Sequence, residues 1–213
     1  MLAASLMSYI RFFVLLSPII IPTMAIFGSL FNANFKGFVY ILGLTIAMLF
    51  AGLIAPSIGA LVPGKWVGTG DHRQYKPAID AACNLIGASA GGWGTKYAAP
   101  GSHALLLAFT ATYLMFPMFL NGTTNLFLVG GLIFLLILSA AIRISYPMLC
   151  LNFGAVVAGW GTGFIFGAMW YFAVITLAGT KSGLTYFEVE KSDRQQCKLD
   201  KKSFRCRRTT AAI

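Results

Sequence analysis

Acidic side chains are scarce in this chain. Its 213 residues hold 6 Asp and Glu against 16 Lys and Arg, and no acid occurs between Asp80 and Glu188. An ion path through the membrane would therefore lack a visible relay, which argues against a transporter or channel. Histidine is nearly as rare, with only His72 and His103, and there are four cysteines. Four are too few for a disulfide scaffold. Cys83 and Cys150 stand in apolar surroundings and read as small core residues, leaving Cys197 and Cys206, in a polar stretch, as the candidate disulfide. No dinucleotide fingerprint, phosphate-binding P-loop, metal-ligand cluster or haem motif occurs, so neither a metal nor a cofactor is expected.

Charge of either sign is also sparse. Only 10% of residues are charged and 58% are hydrophobic, with a mean hydropathy of +0.77, a composition that excludes an ordinary soluble globule. A bilayer span needs about 20 mostly apolar residues at 1.5 Å of rise each. Five stretches qualify, near 12–31, 37–62, 104–120, 125–142 and 148–178. They predict an all-α multi-pass integral membrane protein, because a barrel would alternate polar and apolar positions. Pro18 and Pro22 predict a kink in the first span, which is read as retained rather than as a signal peptide.

The stretch 63–100 is Gly-rich and carries most of the chain's chemistry, with an interfacial or re-entrant middle around 78–92. Two units follow from the composition: a helical membrane domain over 1–180 and a basic extramembrane tail over 181–213. The tail holds nine Lys and Arg and four Asp and Glu. Residues 185–190 have strand character, and the basic run 198–208 lacks the interleaved aromatics of single-stranded nucleic-acid binders. The expected partners are membrane lipids and other protein subunits of a larger assembly contacted by the tail, with no nucleic acid. So charged a segment buries too little apolar surface to fold alone, and an ordered tail would draw on an external surface.

With five spans, Arg11, the 63–100 loop and Arg143 share one face, and Lys36, Asn121 and the tail share the other. The charge distribution favours a cytoplasmic tail, which would leave the sequon Asn121-Gly122-Thr123 unglycosylated as a polar turn. The first face gathers Lys65, Arg73, Lys76, His103 and Arg143, a set suited to a lipid phosphate or other anion. Such basic side chains can equally snorkel to the interface without a ligand.

The segment Pro100-Gly101-Ser102-His103, opening a span, resembles the second motif of the type 2 phosphatidic acid phosphatase superfamily, Pro-Ser-Gly-His, with its middle pair inverted. Arg143, on return to the same face after two spans, resembles the start of that family's third motif, and a Gly-rich last span follows. The first family motif, in the preceding loop, is only echoed, by Lys65 with His72-Arg73 or by Lys76-Pro77. The resemblance implies that His103 and Arg143 are residual family positions. It also implies a nucleophilic histidine and an orienting aspartate, whose places fall at Leu149 and Phe153 here. Without them the covalent phospho-histidine route is closed. Gly87-Ala88-Ser89-Ala90 resembles the serine turn of rhomboid proteases, but the base is missing and Val156 stands near its place.

Gly159, Gly163 and Gly167 repeat every fourth residue in the last span, the spacing that lets helix backbones approach closely. Gly130, Gly131, Asn125 and Asn152 are candidates to extend that interface. The expectation is a non-catalytic structural or assembly subunit of a membrane complex or virus particle, a pseudoenzyme by the resemblance. The alternative is a lipid or isoprenoid phosphate phosphatase with a divergent active site.

Overall fold

The computed structural model describes residues 2–61, 99–122, 124–144, 153–179, 183–187, 195–200 and 203–208. It is all-helical in its body: α1 (Leu2–Phe31), α2 (Lys36–Leu61), α3 (Ser102–Leu120), α4 (Leu126–Ile144) and α5 (Phe153–Ala178). Each contains a stretch long and apolar enough to cross a membrane, so the chain is a multi-pass membrane protein. A two-stranded antiparallel hairpin, β1 (Gln195–Asp200) and β2 (Ser203–Arg208), ends the described chain.

α3 is the central helix. In its spanning window 72% of residues are buried, against 17–33% in the others, and it touches all four. Its closest partner is α5, which runs parallel to it. A Cβ at Gly159 would lie 2.5 Å from the Gly101 carbonyl oxygen, one at Gly163 would land on the Leu105 carbonyl, and one at Gly167 would lie 2.9 Å from the Phe109 carbonyl. The two backbones thus meet along matched four-residue steps, which maximises van der Waals contact where lipid supplies no hydrophobic drive. Gly43 of α2 instead makes room for the Trp170 side chain, whose indole Nε1–H donates to the Val39 carbonyl at 3.0 Å.

Two expectations about this packing are corrected. Gly130 and Gly131 do not extend the interface, since a Cβ at either meets nothing within 4 Å. Asn125 is instead the N-cap of α4: its Oδ1 accepts from the Phe127 and Leu128 N–H groups at 3.1 and 3.2 Å. Asn152 lies outside the described residues. Asn125→Ala should therefore cost about 1 kcal/mol of stability, read as a small fall in unfolding temperature in detergent.

The tail also differs from expectation. Thr185–Phe187 forms a turn, with Phe187 at φ 55, rather than a strand. Thr185 is buried and Tyr186 packs edge-on to Tyr113, so this part of the tail lies against the helices. The side chain of Asn121, at the turn after α3, donates to the Phe187 carbonyl at 2.9 Å. Strand pairing occurs later, at 195–208, where the register sets Cys197 opposite Cys206.

Candidate functional site

His103 sits one residue into α3 and is 1% exposed; Arg143 ends α4 and is 3% exposed. Arg143 Nη2 lies 2.9 Å from His103 Nδ1, and His103 Nε2 lies 3.0 Å from the Leu15 carbonyl oxygen of α1. A guanidinium only donates and a carbonyl only accepts. Nδ1 must then present its lone pair to Arg143, and Nε2 must carry the proton given to Leu15. The tautomer is fixed by these partners, and the imidazole is neutral with both nitrogens engaged.

On the third helix of this clamp a proline stands close to the carbonyl that His103 uses. Pro18 has no N–H for the Val14 carbonyl, and the Ser17 hydroxyl takes that acceptor at 2.7 Å. The carbonyl used by His103 belongs to the next residue, Leu15. Leu15 lies four residues past Arg11, about 6 Å of helix rise, and within the α1 spanning stretch Ser8–Phe31. The clamp joins the interior of the α1 stretch to the end turns of α3 and α4, where their spanning stretches Ser102–Leu120 and Leu126–Ile144 begin and end. Arg143 is turned inward onto His103 and does not snorkel, while its place in the last turn of α4 favours a cation.

His103 and Arg143 share one end of the bundle. The tail turn at Tyr186 and Phe187 meets the other end of α3, beyond about 26 Å of helix rise from His103 to Leu120. There the Ser29 hydroxyl is a hub: it donates to Asn34 Oδ1 at 3.0 Å and accepts from the Gly37 N–H. Burial pushes the Tyr186 phenol above its usual range, against the opposing effect of Ser29, so it stays protonated and able to donate.

Between these poles the Tyr40 hydroxyl meets Thr110 Oγ1 at 2.6 Å, and Thr110 donates to the Leu106 carbonyl at 2.8 Å. With the threonine proton so used, Tyr40 is the donor. These polar links were not singled out in the sequence; Ser17-Pro18 was the nearest signal, a breaker beside a hydroxyl inside a span.

Lys65, Arg73, Lys76, His72 and Ser89 lie outside the described residues, as does Leu149. Phe153, at the aspartate place implied by the resemblance, is exposed. Among the described residues no group of three His, Cys, Asp or Glu side chains converges on a metal position. Comparison of the chain with family models, curated proteins and solved structures returns no match.

Proposed function

We propose that the chain is a non-catalytic membrane scaffold, an assembly subunit of a larger membrane-associated complex or virus particle, with a core that resembles a degenerate phosphatase. The observation that carries this reading is the use of His103: both ring nitrogens serve interior bonds that join α1, α3 and α4. A general acid must give its proton to a leaving group; this imidazole gives its proton to a backbone carbonyl. The parallel glycine contacts of α5 on α3 fit the same reading, because they spend the most distinctive sequence feature on packing.

In this reading the tail attaches the subunit to its partner proteins, with Thr185 to Phe187 packed against the helices. A Cys197–Cys206 bridge, from the facing register positions, would limit the unfolded alternatives of the hairpin by roughly 2–3 kcal/mol in an oxidising compartment. Deleting 191–213 should leave membrane insertion intact and abolish co-purification with the parent assembly. Wild-type stoichiometry of the truncated protein in that assembly would exclude the tail as the attachment element. In proteoliposomes, phosphate release from phosphatidic acid or an isoprenyl diphosphate should stay at background. Turnover that His103→Ala removes while Arg143→Lys retains the fold would favour the divergent phosphatase.

A further inference from the structure

At the end of the bundle opposite His103, a cavity of about 360 Å³ lies between α1 and α4, floored by α3 and roofed by the turn after α5. Its α1 wall runs from Ile21 to Asn32, about 16 Å of helix rise. Met24 on that wall is exposed, Gly28 is half-buried, and both lie within the spanning stretch. The mouth therefore opens sideways at membrane depth, where lipid chains are the surrounding medium.

The two ends of the cavity differ in chemistry. The membrane end is lined by Ile21, Met24 and Leu114, all apolar, and Leu128 stands near the start of α4 toward the other end. The other end presents Ser29, Asn32, Asn34 and Tyr186 beside the short α1–α2 turn. These side chains carry hydrogen-bonding groups and no charge, and among the described residues no Asp, Glu, Lys or Arg lines the cavity. An ionised head group placed here would be desolvated without a counter-charge. A hydroxyl or ester would find donors and acceptors. The volume is at the lower end of ligand pockets, about 300–1,000 Å³, which suits one hydrocarbon chain rather than two.

We infer that this cavity is a binding site for a membrane lipid with one inserted hydrocarbon chain and an uncharged, hydrogen-bonding head. The head group sits under Tyr186 and Phe187, so occupancy and the seating of the tail turn act on the same residues. The inference does not depend on the scaffold reading.

Gly28 supplies the test. It lines the cavity, and a Cβ there meets nothing within 4 Å, so Gly28→Leu fills the space without striking the fold. Gly130→Leu is the control, being equally open and outside the lining. Full-length protein in phosphatidylcholine nanodiscs is irradiated with either of two probes carrying the same diazirine-bearing chain, a monoacylglycerol or the ionised fatty acid at alkaline pH. The monoacylglycerol should label the α1 wall about tenfold more than the fatty acid, and Gly28→Leu should lower that labelling about tenfold while Gly130→Leu leaves it unchanged. Equal labelling by both probes, or undiminished labelling of folded Gly28→Leu, overturns the inference. Should Gly28→Leu fail to fold, wild type decides alone: excess unlabelled monoacylglycerol must suppress the adduct, and an adduct that does not compete away overturns the site.

Discussion

Gly163→Ala is expected to destabilise the protein by about 1–3 kcal/mol, although alanine is the better helix former. The added methyl would land on the Leu105 carbonyl oxygen, with the Ala108 Cβ and the Phe109 backbone nitrogen 2.7 and 2.9 Å away. None of these is the far end of a flexible side chain, so α5 must move off α3 as a body. Gly161→Ala, two residues away on the same helix, meets nothing within 4 Å. It should hold or raise stability by up to about 1 kcal/mol through propensity alone. Thermal unfolding of the two variants in one detergent gives opposite signs if the α3–α5 contact is the keystone of the bundle. A fall of equal size in both would mean that α5 tolerates no added bulk anywhere, and that the specific contact is not the cause.

The second large effect concerns the buried clamp, and its asymmetry is the diagnostic feature. His103→Leu removes one acceptor of a buried guanidinium, and a charged group that loses a buried partner costs more than the about 1–3 kcal/mol of a neutral one. Arg143→Leu removes the charge itself and leaves a neutral imidazole lacking one donor. His103→Leu should accordingly be the more damaging single change, and adding Arg143→Leu to it should recover part of the loss. A double-mutant cycle should then show a coupling of about 0.5–3 kcal/mol. Additive losses would mean that His103 and Arg143 act separately, and would remove the main support for reading His103 as structural.

How much of this was legible beforehand differs from residue to residue. The spans were legible because a lipid-crossing helix must be apolar for about 20 residues whatever it packs against. The glycine spacing 159, 163, 167 already specified one narrow face on the last helix. The short turn at Asn121 forced α3 and α4 to be antiparallel neighbours, which placed Arg143 at the His103 end. At 185–187, where strand character was expected, a turn forms because propensity yields to tertiary contacts: Thr185 is buried and Tyr186 packs against Tyr113.

What only the tertiary structure decided is which apolar surface meets protein and which meets lipid. Hydropathy cannot separate the two, since a leucine is as comfortable against an acyl chain as against another leucine. So nothing in the sequence marked α3 as the central helix, or Gly130 and Gly131 as outward while Gly159 and Gly163 are inward. The same reasoning covers Leu15, whose carbonyl fixes the tautomer of His103, because every residue carries such a carbonyl and only a neighbouring helix selects one. Composition determined that five helices among the described residues are long and apolar enough to cross a membrane; backbone proximity, set by where small residues face each other, determined how those helices pack.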